Sequence, residues 1–190
     1  MTMLILGVLL WALTHMIPVA MPTVRASLQN KMGETSYKGL FSLVILLSVL
    51  LIVFGWRSIE GVTPLYDIYT VGIIPAFLML LLGFVLMSAA NFNNNFKRIV
   101  RHPQLSGFSL WALAHLLVSG DLRTIILFGT MFVWAVASIF MLSKRDGDFV
   151  RPPKELPHKG VMVFAIGAVI FIGAVLGHDY ITGVDLTVAH

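Results

Sequence analysis

Long apolar runs, separated by short clusters of charged and turn-forming residues, dominate this chain. A helix that crosses a bilayer needs about 20 mostly apolar residues. Six stretches approach that requirement: 3–21, 39–56, 70–90, 104–120, 122–142 and 160–178. None alternates with period two, as a barrel strand would, and only helices or closed barrels satisfy a backbone where water is absent. The pattern predicts an all-α fold, a polytopic membrane bundle of six transmembrane helices in one domain over 1–190. Spans four and five nearly merge. Ser119-Gly120-Asp121 divides them, with Gly expected to end one helix and Asp to cap the next. Pro18 and Pro75 fall inside apolar runs and predict kinks or local thinning there. Arg145–Lys159, with Pro152, Pro153 and Pro157, reads as a polar loop.

Composition narrows the class. Of 190 residues, 58% are hydrophobic and 12% charged, too few charges for a soluble domain of this size. The net charge of +4 does not point to nucleic acid, because the basic residues form no arm or stripe. Eleven of the thirteen Lys and Arg follow spans one, three and five: Arg25, Lys31, Lys38, Lys97, Arg98, Arg101, Lys144, Arg145, Arg151, Lys154 and Lys159. Arg57 and Arg123 lie on the other side. The positive-inside rule then places both termini on the non-cytoplasmic side. No Lys or Arg precedes the first run, so that run is expected to remain as a membrane helix and not to be cleaved as a signal peptide. With no transit segment visible, a multi-pass protein of the bacterial cytoplasmic membrane is expected. The absence of cysteine excludes disulfides, thiolate metal sites, iron–sulfur clusters and covalent haem attachment.

Candidate chemistry centres on His15 and His115. Each ends the same string, Trp11-Ala12-Leu13-Thr14-His15 and Trp111-Ala112-Leu113-Ala114-His115. An ionisable ring at bilayer depth is costly and is normally turned to a partner, a cavity or a cofactor. From the helical rise, His15 lies ~18 Å from the outer end of span one and His115 ~17 Å from the inner end of span four. Both depths fall in the middle third of a core ~30 Å thick. Two antiparallel spans, each offering a neutral imidazole, is what two axial bonds to a haem iron require. Trp11 and Trp111 share a face with their histidines and are placed to pack on a macrocycle. A lone buried imidazole often bonds only a neighbouring helix; the matched depth of two favours a shared ligand. The repeated string also hints at a three-plus-three inverted repeat. His102 at the cytoplasmic mouth of span four and His158 in the basic loop cannot reach mid-membrane. His178, near the outer surface, reads as an interfacial group or proton donor, and His190 is terminal. Met16, Met79, Met87 and Met131 read as packing.

The densest motif runs from Lys97-Arg98-Ile99-Val100-Arg101-His102-Pro103-Gln104-Leu105-Ser106-Gly107 into Leu110-Trp111-Ala112-Leu113-Ala114-His115, then Gly120-Asp121. This stretch closely resembles the NnrU family of membrane proteins, and the likeness extends over nearly the whole chain, including Tyr37-Lys38-Gly39-Leu40. It is also similar to plant zeta-carotene isomerases. The NnrU name implies a link to nitrite and nitric oxide reduction. The isomerase likeness implies haem b held between two histidines, matching His15 and His115, and a carotenoid-like apolar substrate whose cis double bond opens when the iron is reduced. Where the isomerases have Cys, this chain has Ala112, so any exchange using that thiolate is absent. Arg101 and His102 are candidates to serve the cofactor or substrate at the inner face. Arg101 suits a haem propionate, helped by the start of span four, or anchors the chain beside anionic lipid. Pro103 fits a first helical turn, and Gly107 permits close helix contact.

Two other functions stay open at this point. Arg-His-Pro followed by Gly107 resembles isoprenylcysteine carboxyl methyltransferases, which use S-adenosylmethionine, but the paired Glu of that family is missing here. A carrier or assembly factor without chemistry is the third reading, although a transporter normally places more polar groups at mid-depth.

Overall fold

The computed structural model describes residues 1–184 apart from Val62 and Asp67. Among the described residues the fold is helical, with one isolated bridge between Pro64 and Asp121 and no strand. The chain divides into two compact units, Met1–Val62 and Thr63–His190. The division falls after the second membrane helix, not after the third as the three-plus-three repeat implied.

The first unit holds α1 (Thr2–Ala20), α2 (Pro22–Met32) and α3 (Glu34–Arg57). α1 and α3 run antiparallel with backbones nearly touching. A Cβ on Gly7 would stand 2.8 Å from the Ile52 amide nitrogen, and one on Gly55 would stand 2.8 Å from the Leu4 Cα. Small residues at such crossings give membrane helices their dispersion contact. α2 lies in what the sequence pattern left as a loop. Apolar and polar residues are mixed in it and none is buried, so it offers no apolar run of membrane length. Pro22 sits in its first turn, and Gly33 ends it with φ 81°, a left-handed conformation that favours glycine. α3 begins five residues before the expected 39. The Glu34–Lys38 pair, 2.7 Å apart at i,i+4, lies in its first turns.

The second unit holds α4 (Tyr69–Ala89), a 3-10 turn (Asn95–Arg98), α5 (Pro103–Val118), α6 (Leu122–Arg145), α7 (Pro157–Leu176) and α8 (His178–Thr182). α5 packs between α4 and α6, and α4 also packs on α7. Gly107 does permit close contact. A Cβ on Gly83 would lie 2.8 Å from the Gly107 carbonyl, and one on Gly107 would press closer still on the Gly83 carbonyl. Pro18 and Pro75 both sit inside continuous helices, and Pro103 occupies the first turn of α5.

The break at Ser119-Gly120-Asp121 is present. Ser119 is extended, with φ −141° and ψ 115°, and the Asp121 Oδ1 accepts the Thr124 amide at 2.9 Å as an N-cap. Gly120 acts differently from the expectation. Its backbone is not left-handed; a Cβ there would run into the Tyr66 carbonyl and ring. The Gly120 carbonyl accepts the Leu65 amide at 2.9 Å, and the Tyr66 hydroxyl donates to the Leu116 carbonyl. Glycine is required there by space.

Among the described residues, five helices are long and apolar enough to cross a membrane: α1, α3, α4, α6 and α7. α5 is shorter, at 16 residues or ~24 Å, because Ser119 breaks it two residues before the expected end. Within α6, Ile125–Gly129 forms a π-helical turn. The polar loop after Arg145 is pinned to the 3-10 turn and its flank. Asn95 and Glu155 exchange two hydrogen bonds of 2.8 and 2.9 Å, Arg98 donates to the Pro152 carbonyl at 2.6 Å, and Arg101 donates to the Gly147 carbonyl at 2.6 Å.

Candidate functional site

His15 and His115 share one local design. His15 Nδ1 donates to the Trp11 carbonyl at 2.9 Å, and His115 Nδ1 donates to the Trp111 carbonyl at 2.8 Å. A carbonyl only accepts, so the proton is on Nδ1 and Nε2 carries the lone pair. This is the tautomer that binds a metal through Nε2, and a carbonyl behind the other nitrogen is the usual support for a ligating histidine. The Trp-x-x-x-His spacing explains the bond. In a helix the carbonyl at i−4 lies below residue i, and its second lone pair takes the imidazole.

Both rings are set among aromatics. Trp11 lies 4.2 Å from the His15 ring, and Phe41 of α3 meets that ring edge-on at 5.6 Å. Trp111 lies 4.9 Å from the His115 ring, and Phe128 stacks on it at 4.1 Å with planes 10° apart. The tryptophans thus cover their own histidines, which refines the expected macrocycle contact. Phe128 is brought onto His115 by the π turn of α6, a local unwinding that often marks functional positions. No sequence signal announces that turn.

Depth is considered within each unit. The α1–α3 contacts put His15 level with the Leu43–Val44 turn of α3, ~5 Å from the middle of its apolar stretch toward the Lys38 end. The α4–α5 contacts put His115 level with the Ile74–Pro75 turn of α4, ~7 Å from that helix's middle toward Tyr69. Each Nδ1 bond draws its ring back toward its helix N-terminus, which is toward the middle in both cases.

His178 lies closer to the chemistry than its sequence position implied. Its ring centre is 6.4 Å from that of His115, with planes 20° apart. Its Nδ1 donates to the Val184 carbonyl at 3.1 Å and is 3.2 Å from the Thr182 hydroxyl. His190 lies outside the described residues.

Arg101 and His102 are not brought to His115. They precede it by 14 and 13 positions on the α5 register, ~20 Å along the axis. Arg101 instead holds the Gly147 carbonyl and lies 5.9 Å over the Phe149 ring. His102 Nε2 is 3.1 Å from the Ser143 hydroxyl of α6. Burial, then the nearby Arg101, holds its imidazole below the ordinary 6.5, so it is neutral at pH 7. Lys97, Arg101, His102, Gln104, Phe149 and Pro152 line a cavity of about 480 Å³ at this end.

Among the described residues, no group of three or more His, Cys, Asp or Glu is gathered to hold a metal ion. A porphyrin iron asks less of a protein, since the macrocycle supplies four donors and the chain one or two axial ones. The two Nε2-presenting imidazoles fit that demand. No curated protein matches the chain, and no solved structure matches it. The family model described as NnrU protein matches residues 3–186, nearly the whole chain and both compact units, and on that match the protein belongs to the NnrU family.

Proposed function

We propose that this protein binds haem b in the membrane, with His15 and His115 as axial ligands, and serves redox-linked chemistry. The observation that carries this reading is the duplicated histidine design. In each unit an imidazole at membrane depth is fixed as the Nδ1–H tautomer by the carbonyl four residues back and flanked by aromatic rings. A histidine serving only as a helix–helix hydrogen bond has no need of that tautomer in both copies. When bound, haem would supply a redox-active iron suited to nitric oxide or to a double bond of an apolar polyene. The chain's own part is to orient the two imidazoles, exclude water with Trp11, Phe41, Trp111 and Phe128, and admit an apolar molecule from the lipid.

The same proposal includes the topology. α5 is the sixth crossing, because it lies antiparallel along α4 from Gly83–Gly107 to Gly72–Leu117. Six crossings with the basic loops on the cytoplasmic face of a bacterial inner membrane leave both termini outside. Arg101 and His102 then belong to the cytoplasmic mouth, where they secure the loop after α6.

The visible spectrum of protein purified from haem-replete cells tests the reading. A Soret band with low-spin α and β bands is expected. Protein without a Soret band that binds S-adenosylmethionine tightly would replace it with the methyltransferase reading, and protein that binds neither would favour a carrier or assembly factor.

A further inference from the structure

Among the described residues, Tyr37, Ser88 and Ser138 each bury a hydroxyl that has no hydrogen-bond partner, and of these Tyr37 stands in the aromatic cluster of His15. Tyr37 of α3 is 8% exposed, and its hydroxyl is fully buried with no hydrogen-bond partner among the described residues. A hydroxyl left unsatisfied in an apolar setting is destabilising, and such an exception in a native structure calls for an explanation. Its surroundings supply one. The Tyr37 ring is 6.1 Å from the Phe41 ring one turn along α3, and the Phe41 ring is 5.6 Å from His15. His15, Phe41 and Tyr37 therefore form one wall in the first unit. It starts with a metal-competent nitrogen at membrane depth, continues with an apolar plate, and ends ~10 Å nearer the basic end of the helices with a phenol that lacks an acceptor. That sequence of groups matches the anatomy of a haem edge: iron, apolar macrocycle, carboxylate.

We propose that the Tyr37 hydroxyl donates to a propionate of the haem that His15 ligates, so that the propionate edge faces the Lys38 end of the unit. This rests on the haem reading above and adds the cofactor's orientation and the residue that selects its free carboxylate. A phenol O–H to a carboxylate is a charge-assisted hydrogen bond of the strong kind, and in a low-dielectric setting it discriminates well against an ester. Tyr37 acts on the binding of the cofactor and its pose, as a positioning residue.

The test uses Tyr37→Phe, which keeps the ring and removes one oxygen. Full-length protein freed of cofactor is titrated with ferric protoporphyrin IX and, separately, with its dimethyl ester. Wild-type protein is expected to prefer the free acid. Tyr37→Phe should weaken free-acid binding by about tenfold or more, leave ester binding within about twofold, and keep a low-spin Soret band. Cofactor-free Tyr37→Phe should be at least as thermostable as wild type, because the substitution removes an unsatisfied group. Unchanged affinity for the free acid, or an equal loss for acid and ester, would overturn the proposal. Spectra insensitive to both His15 and His115 would instead overturn the haem reading beneath it, a separable failure.

Discussion

Replacing Gly107 by Ala tests the central seam of the second unit. The Cβ would lie 2.9 Å from the Met87 Cγ and 3.0 Å from the Met87 amide nitrogen, and would press closest on the Gly83 carbonyl. Comfortable contact needs about 3.5–4.0 Å. The Met87 side chain is able to swing aside, but a backbone amide and carbonyl cannot, so α4 and α5 must separate by about an ångström. Overpacking of this kind costs about 1–3 kcal/mol, and the better helix propensity of Ala returns at most about 1 kcal/mol. The net expectation is a loss of about 1–2 kcal/mol. Gly173 on α7 supplies the opposite sign, since a Cβ there meets nothing within 4 Å. Gly173→Ala should stabilise by up to about 1 kcal/mol through propensity alone. Unfolding in mixed micelles by titration with denaturing detergent reads both variants. Equal shifts, or a stabilised Gly107→Ala, would refute the backbone contact between α4 and α5.

If His15 and His115 are the axial ligands as proposed, His178→Ala should keep a low-spin haem spectrum, although His178 stands 6.4 Å from His115; conversion to high spin would reassign an axial bond to His178. At the other end of α5, His102 is neutral when folded and titrates near 6.5 when unfolded. As pH falls through 6.5 the unfolded chain takes up a proton that the folded chain resists, so stability drops until the depressed folded value is passed. The melting temperature of wild type in detergent should therefore fall more steeply from about pH 7.5 to about pH 5 than that of His102→Gln, which can still bond Ser143. Parallel slopes would contradict a half-buried imidazole held below its ordinary pKa.

The membrane helices were readable because apolar runs of membrane length have few alternatives. The Asp121 cap, Pro103 and the close approach at Gly107 were also readable, since each follows from one residue's stereochemistry. What was hidden depends on tertiary placement. α2 is short, mixed in polarity and buries none of its residues, so a search for apolar runs of membrane length passed over it. Phe41, Phe128 and His178 come from elements remote in sequence, and only the packed helices bring them to the histidines. Tyr37 stood in the noted Tyr-Lys-Gly-Leu string, yet nothing in the string says that its hydroxyl is buried without an acceptor.

The most direct test replaces each histidine in turn and counts haem. Wild-type protein should carry one low-spin haem per chain, and His15→Ala and His115→Ala should each lose that spectrum, by conversion to high spin or loss of the cofactor. A full haem complement with an unchanged low-spin spectrum in both variants would contradict the pairing of His15 with His115.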